Sequence, residues 1–121
     1  MKQYFLGLRT VIYPAPDLLN VKNWYIQALG IQPYFDEVFY VGFNVGGYEL
    51  GLDPDAPIGS GGGPQAFWGV ENIESAVAHL VSLGATIDED VQDVGGGIKV
   101  ATVLDPFGNP FGVMENPHFK L

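Results

Sequence analysis

The chain contains the same succession of elements twice, and this duplication limits its possible folds more than any other feature. An apolar segment with helical spacing, Asp17 to Gly30, ends in glycine, and a second one, Ile73 to Gly84, ends in the same way. Each is preceded by one apolar run of strand-forming residues and followed by several more. Two strand–helix–strands units in 121 residues predict a duplicated module, with a ligand cleft where the related units combine.

The length is sufficient for one domain with a hydrophobic core and too short for two independent domains. We therefore predict a single domain over residues 1–121, with module one at about 1–56 and module two at about 64–121. Residues 57–63 are predicted to be a linker because they are rich in glycine and begin with a proline.

The charge and composition exclude several classes of function. The net charge is −9, from 14 acidic against 5 scattered basic residues, which argues against nucleic-acid binding. This acidity is typical of a soluble surface, and attraction of a cationic ligand is the alternative. Apolar stretches are too short to cross a membrane. With no cysteine there is no disulfide or thiolate metal site, so we predict a cytoplasmic protein.

Turn and capping residues predict where the elements begin and end. Asp17 and Asn72 are expected to cap the two helices by accepting hydrogen bonds from first-turn amides. Glycine pairs or runs at 46–47 and 95–97 predict hairpin turns. The strands are expected at Leu6–Tyr13, Tyr34–Glu37, Val38–Val45, Tyr48–Leu52, Gln65–Val70, Thr86–Val94, Ile98–Leu104 and Pro110–Met114. The apolar stripe of the first helix is expected to comprise Leu18, Val21, Trp24, Tyr25, Ala28 and Leu29.

Several short motifs, taken in order along the chain, resemble those of one protein family. They are Val11–Leu18 before a Trp24-Tyr25 helix, Val45–Leu50, Ile73–Val77 with Leu83–Ala85, and Asp105–Asn109 before the last strand. On these motifs the chain resembles the glyoxalase/bleomycin-resistance/dioxygenase family, or vicinal oxygen chelate superfamily. The resemblance implies an α+β fold in which two βαβββ modules form a curled mixed sheet, an open cup, with helices on its outer face.

The resemblance also locates the positions at which metal-dependent members of the family bind a divalent metal. These positions fall on Thr10, Glu49, Gln65 and Gly112 in this chain. Only Glu49 is a good ligand, and Gly112 has no side chain, so we predict that no metal is bound. A weaker alternative is a divalent metal held by Glu49 and Gln65. Strand alternation directs Glu115 away from the cup, so it does not replace Gly112.

The same alternation predicts which residues contact a ligand. Glu49 would be the charged contact, Gln65 a hydrogen-bonding partner, and Phe67 or Trp68 a stacking surface. Thr10 and Met114 complete the predicted ligand-binding set. Arg9 is expected to lie on the face opposite Thr10, away from the cup, so a ligand with an amine, guanidinium or hydroxyl group is the expected complement of Glu49.

No catalytic residue is evident from the sequence. His79 is expected on the flank of the second helix, and His118 lies in the C-terminal tail with no group placed to orient it as a base. Three hypotheses remain. The chain is a metal-independent small-molecule-binding protein, a divalent-metal lyase, isomerase or dioxygenase, or an accessory dimer without a dedicated ligand. We expect a homodimer in each case.

Overall fold

The computed structural model describes residues 2–56 and 63–119. Within these ranges the chain is mixed α+β, as predicted, with the order strand, helix and three strands occurring twice. The elements are β1 (Phe5–Pro14), α1 (Leu18–Leu29), β2 (Phe35–Glu37), β3 (Tyr40–Val45), β4 (Tyr48–Asp53), β5 (Gln65–Val70), α2 (Ile73–Ser82), β6 (Thr86–Gly95), β7 (Ile98–Leu104) and β8 (Pro110–Glu115). Except for Gly63, the predicted linker lies outside the described residues.

The chain divides into two compact units, and β1 contributes to both. The first unit is Thr10–Gln65, and the second contains residues 2–9 and 66–119 of the described chain. The first half of β1, Phe5–Arg9, therefore belongs to the second unit, whereas Thr10–Pro14 belongs to the first.

The strands of the first unit are ordered β2-β3-β4-β1. β2, β3 and β4 are antiparallel, and β1 pairs parallel to β4 with Thr10 opposite Glu49. The predicted turn at Gly46-Gly47 is confirmed, with φ values of 63° and 94°. Because this two-residue turn pairs Val45 with Tyr48, it fixes the register of the whole β3–β4 hairpin.

The prediction of one continuous strand over Val38–Val45 was wrong. Val38 and Phe39 form a turn, and β3 begins only at Tyr40. Both residues favour strands intrinsically, but the antiparallel pairing of Glu37 with Tyr40 requires the chain to reverse between them.

Helix α1 packs one face against the sheet of the first unit. Its contacts with the buried cluster of Ala15, Val41, Phe43 and Leu52 come from Leu18, Val21, Tyr25, Ile26 and Leu29. The prediction that Trp24 and Ala28 belong to this stripe was wrong. Successive helical residues are rotated by about 100°, so these two positions lie on the flank, and Trp24 is 61% exposed.

The two ends of α1 differ in how well they were predicted. Gly30 ends the helix in the left-handed conformation, with φ 71° and ψ 24°, as expected of a C-terminal glycine. The predicted N-cap at Asp17 was wrong in its chemistry. The Asp17 side chain caps no amide of the helix and instead accepts a 2.6 Å hydrogen bond from the Asn20 side-chain amide.

In the second unit, strands β5 to β8 are ordered β5-β8-β7-β6, with β5 parallel to β8 and the other pairs antiparallel. Its core joins α2 to one sheet face and contains Val70, Ile73, Ala76, Val77, Ala85, Ala101, Val103 and Val113. The predicted cap is confirmed, because Asn72 Oδ1 accepts a 2.9 Å hydrogen bond from the Ser75 amide. No helix among the described residues is long and apolar enough to span a membrane.

Candidate functional site

The candidate site of the first unit is built around the half-buried carboxylate of Glu49 on β4. Glu49 Oε1 accepts a 2.6 Å hydrogen bond from the Tyr40 hydroxyl and a 3.1 Å hydrogen bond from the Thr10 hydroxyl. The Tyr34 hydroxyl donates to the other oxygen, Oε2. Three neutral hydroxyl groups therefore surround the carboxylate, in an arrangement that we call the hydroxyl cage (Thr10, Tyr34, Tyr40 and Glu49).

Two opposed glycines make room for the tyrosine rings of the cage. Gly42 on β3 pairs with Gly51 on β4. A Cβ atom at Gly51 would lie 1.8 Å from the Tyr40 hydroxyl oxygen, and one at Gly42 would lie 2.7 Å from Glu49 Oε2. Because neither position can carry a side chain without moving the cage, both glycines are required by close packing rather than by backbone conformation.

The environment of Glu49 keeps both tyrosines protonated. Burial raises the pKa of Tyr40 well above its usual value, and the negative charge of Glu49 raises it further. Burial also raises the pKa of Tyr34, with additional contributions from its hydrogen bond to Glu49 and from that charge. Both side chains are therefore hydrogen-bond donors at neutral pH, and neither can serve as a base.

Exposure differs sharply across the hydroxyl cage. Thr10 is only 4% exposed, and Tyr40 is half-buried. Tyr34, in contrast, is 63% exposed, and its ring lies at the solvent end of the cage. A carboxylate can accept about four hydrogen bonds, and the three hydroxyls leave one position, on Oε2, that no other residue of 2–56 or 63–119 occupies.

The structure brings some of the predicted ligand-binding residues together within each unit. Thr10 and Glu49 are in direct contact in the first unit, and Gln65 begins β5 and is half-buried. In the second unit, Phe67 and Met114 are both nearly buried.

Strand register places Phe67 and Met114 on one face of the second unit. Phe67 pairs with Gly112 and Gly69 pairs with Met114 across β5 and β8, so all four residues share this face. Trp68 lies on the opposite face, where its ring stacks on Phe111 at 6.0 Å between centroids. Whether any of these residues contacts a ligand stays a prediction.

The residues at the four family metal positions do not fit a metal ion. Both oxygens of Glu49 already accept hydrogen bonds from hydroxyl groups. A Cβ atom at Gly112 would lie 2.7 Å from the Ala66 carbonyl oxygen and 2.8 Å from the Phe67 ring, so a longer donor side chain has no space there. Residues 2–56 and 63–119 contain no group of three or more histidine and acidic side chains arranged to hold a metal.

Glu115 has a structural role on the helix face of the second unit. Its Oε1 accepts a 2.9 Å hydrogen bond from the Ile73 amide at the start of α2. Glu115 lies two residues after Val113 on β8 and therefore shares its sheet face, and Val113 packs in the core beside α2. As strand parity predicts, it points away from the Phe67 face and caps the helix together with Asn72.

The prediction that Arg9 points away from the candidate cup face was wrong for the second unit. A Cβ atom at Gly69 would lie 2.5 Å from Arg9 Nε, so the Arg9 side chain crosses the face that Gly69 shares with Phe67. Phe5, four residues earlier, packs instead against Phe111 and the α2 core. Gly69 has no side chain, and this leaves the space into which the long Arg9 side chain extends.

Both histidines contact neighbouring residues of the second unit. His79 stacks on Tyr4 with the ring centroids 4.3 Å apart, on the flank of α2 as expected. In the tail, His118 Nε2 is hydrogen-bonded to the Gly96 carbonyl oxygen at 2.7 Å.

Sequence reasoning missed Tyr34 and Tyr40 as partners of Glu49. A signal for them was present, because the Gly46-Gly47 turn sets a register in which Gly42 faces Gly51. Two glycines opposed on one face of a hairpin leave a gap that a nearby aromatic side chain can fill. Tyr40, two residues before Gly42, is on the same face.

Comparison with known proteins identifies the fold. At 19% identity, a methylmalonyl-CoA epimerase from Mycobacterium tuberculosis matches with a TM-score of 0.74, covering 95% of this chain and 91% of the other. A methylmalonyl-CoA epimerase from Streptomyces coelicolor has 15% identity and a TM-score of 0.73, and the match covers 97% of this chain and 99% of the other. A glyoxalase/bleomycin resistance protein/dioxygenase superfamily member from Vibrio splendidus 12B01 has 19% identity and a TM-score of 0.67. This match covers 89% of this chain and 97% of the other.

These similarities confirm the predicted fold class. No curated protein matches the sequence, and the structural identities are too low to carry an activity over. The family profile for the Glyoxalase/Bleomycin resistance protein/Dioxygenase superfamily matches residues 7–113, which is most of the chain. This match, together with the twofold βαβββ order, shows that the chain belongs to the Glyoxalase/Bleomycin resistance protein/Dioxygenase superfamily.

Proposed function

We propose that this protein binds a small organic molecule without a metal, and that Glu49 is the acceptor that holds it. The observation that supports this most directly is the hydroxyl cage. Its three hydroxyls donate hydrogen bonds to the same carboxylate oxygens that a metal would otherwise bind. An unpaired carboxylate in a half-buried position would be costly. The cage removes this cost and leaves one acceptor position at its exposed end.

The open position on Glu49 Oε2 favours a ligand that donates a hydrogen bond. A hydroxyl, amine or guanidinium group can either occupy this position or displace the exposed Tyr34 hydroxyl. The net charge of −9 favours the approach of cations over anions. We therefore propose an alcohol, amine or guanidinium compound as the ligand class.

Calorimetric titration of a mixed library of amines, guanidines, polyols and carboxylic acids tests this proposal. Glu49→Gln should weaken binding of an amine or polyol hit by about 1–3 kcal/mol, as expected when one charge-assisted hydrogen bond is lost. Glu89→Gln, which removes an exposed acid on β6, is the matched control for the change in net charge. If neither variant changes the affinity, Glu49 is not the anchor.

Tyr34→Phe distinguishes the two ways in which a ligand can reach Glu49. If the ligand displaces the Tyr34 hydroxyl, this variant should bind it more tightly, because no protein hydrogen bond is lost on binding. If the ligand adds to the cage, the affinity should be unchanged or slightly weaker. A library that gives no hits from any chemical class would favour the alternative of an accessory dimer without a dedicated ligand.

We also propose that the protein is a homodimer. Large apolar side chains are exposed in the α1 and β2–β3 region of the first unit, among them Leu19, Trp24, Phe35, Val38 and Phe39. Val38, at the hairpin turn, is 90% exposed. Exposed apolar clusters of this kind often mark an interface between protein chains.

Multi-angle light scattering at micromolar concentration should give twice the chain mass of 13.1 kDa. Val38→Glu should shift the population toward the monomer if this region forms the interface, since a charge would be buried there. A monomer mass for the unmodified protein would contradict the proposal.

The metal-dependent alternative, a lyase, isomerase or dioxygenase, receives less support from this site. It would require Glu49 and Gln65 to bind a divalent metal, and the oxygens of Glu49 already accept three hydroxyl hydrogen bonds. Proteins of similar fold include methylmalonyl-CoA epimerases from Streptomyces coelicolor and Mycobacterium tuberculosis. The proposed ligand contacts of Gln65, Phe67, Trp68 and Met114, and the cytoplasmic location, remain predictions from the sequence.

A further inference from the structure

Arg9 is held in an unusual position in the second unit. The Cζ atom of its guanidinium lies 3.9 Å from the centroid of the Phe119 ring, in a cation–π contact. Its side chain also packs directly onto Gly69, where an added Cβ atom would lie 2.5 Å from Nε and 2.8 Å from Cζ. The absence of a side chain at position 69 therefore creates the space that Arg9 occupies.

The sheet face that Arg9 crosses carries apolar side chains. Gly69 shares a sheet face with Phe67 and pairs with Met114, and both of these side chains are nearly buried. Phe119 completes the apolar contacts from the C-terminal tail. The tail is itself fixed, because His118 is hydrogen-bonded to the Gly96 carbonyl oxygen and its amide donates to Asn116 Oδ1.

Few of the hydrogen-bond donors of Arg9 are used within the described chain. A guanidinium has five N–H donors, and Arg9 donates one hydrogen bond, from Nη1 to the Leu8 carbonyl oxygen at 3.2 Å. The salt bridges formed within residues 2–56 and 63–119 are Lys22–Asp36 and Lys99–Glu74. Arg9 is thus a half-buried cation that pairs with no carboxylate of this part of the protein.

The geometry of a guanidinium determines which ligand would suit it. The guanidinium lies over the Phe119 ring, and its N–H bonds lie in the plane of the group and point outward at the edge. A carboxylate is planar and can accept two parallel N–H hydrogen bonds from that edge. An apolar group attached to the carboxylate would lie near the Phe119 ring, which contacts the guanidinium.

We propose that Arg9 is the anchor of a binding site for an organic carboxylate on the Gly69 face of the second unit. The proposal rests on residues of the second unit alone and does not depend on Glu49. Its two requirements are the planar guanidinium of Arg9 and the vacant side-chain position at Gly69.

Benzoate is a suitable probe because it joins a carboxylate to an aromatic ring. Isotope-edited NMR should show that benzoate shifts the Arg9 Nε–H signal, while benzyl alcohol and benzylamine do not. Arg9→Met should weaken benzoate binding by about tenfold or more, as expected for the loss of charged hydrogen bonds. Arg9→Lys should recover only part of this affinity, because an ammonium lacks the planar fork.

Controls separate this proposal from loss of folding and from the Glu49 site. Lys22→Met removes a cation that is already paired with Asp36, so it should leave benzoate binding unchanged, as should Glu49→Gln. Gly69→Ala keeps the charge but displaces Arg9, and it should weaken binding as Arg9→Met does. Thermal melts and amide spectra establish that each variant is folded, and the Arg9 Nε–H shift in the unmodified protein tests the site without any substitution.

Three results would overturn the proposal. The first is that benzoate leaves the Arg9 Nε–H signal unchanged at millimolar concentration. The second is that folded Arg9→Met binds benzoate as well as the unmodified protein does. The third is that phenyl phosphate binds more tightly than benzoate, since the site would then select a phosphate monoester rather than a carboxylate.

Discussion

Gly51→Ala is expected to lower the free energy of unfolding by about 2–4 kcal/mol, although it adds only one methyl group. The new Cβ atom would lie 1.8 Å from the Tyr40 hydroxyl oxygen and 2.6 Å from Cζ of the ring. Tyr40 would have to leave its position, and Glu49 would lose its 2.6 Å hydrogen bond in a half-buried environment. Guanidinium chloride unfolding followed by circular dichroism measures the loss.

A double-mutant cycle provides the control for this prediction. In the Tyr40→Ala background the clash is absent, so Gly51→Ala should then cost little, and the two effects should be strongly non-additive. An equal cost of Gly51→Ala in both backgrounds would mean that the glycine is needed for another reason, and the described packing of Tyr40 on Gly51 would be incorrect.

The second large effect is a loss of stability at alkaline pH. The pKa values of Tyr34 and Tyr40 are raised in the folded protein by burial and by Glu49, whereas a tyrosine in the unfolded chain titrates near a pH of about 10. Folding therefore favours the protonated forms. Their contribution is fully present below a pH of about 10 and is lost progressively as the pH rises above it.

Unfolding titrations at a series of pH values between neutral and strongly alkaline should show this decline. Tyr40→Phe should reduce the decline of the unfolding free energy with pH more than Tyr34→Phe does. Tyr34 is largely exposed, and solvent screens its interaction with Glu49. Tyrosinate absorbance provides an independent measurement of ionisation in the folded state. If Tyr40→Phe leaves the pH dependence of the free energy of unfolding unchanged at alkaline pH, the pKa of Tyr40 is not raised by folding.

The sequence was sufficient to predict the fold because each repeated unit contains independent local signals. The glycine that ends α1, the cap residue Asn72 and the Gly46-Gly47 turn all act as predicted. The errors occurred where tertiary contacts override a local preference. Val38 favours strands but lies in a turn, and Trp24 fits an apolar pattern but lies on the flank of its helix.

The candidate site was harder to predict because its partners are distant in sequence. Tyr34 and Glu49 are brought together by strand pairing across two hairpins, and neither residue is unusual in its own segment. Arg9 was assigned to the wrong face because the space at Gly69 that its side chain occupies is created by packing between residues distant in sequence.

We propose that three hydroxyl groups, and no metal ion, satisfy the carboxylate of Glu49. Crystals grown with excess manganese or zinc test it most directly, with anomalous scattering recorded for each metal. We predict no anomalous peak at Glu49 and the Thr10, Tyr34 and Tyr40 hydroxyls all within hydrogen-bonding distance of it. Protein purified without chelator should likewise contain far less than stoichiometric transition metal. A full-occupancy metal bound by Glu49 and Gln65, with the tyrosines displaced, would contradict the account.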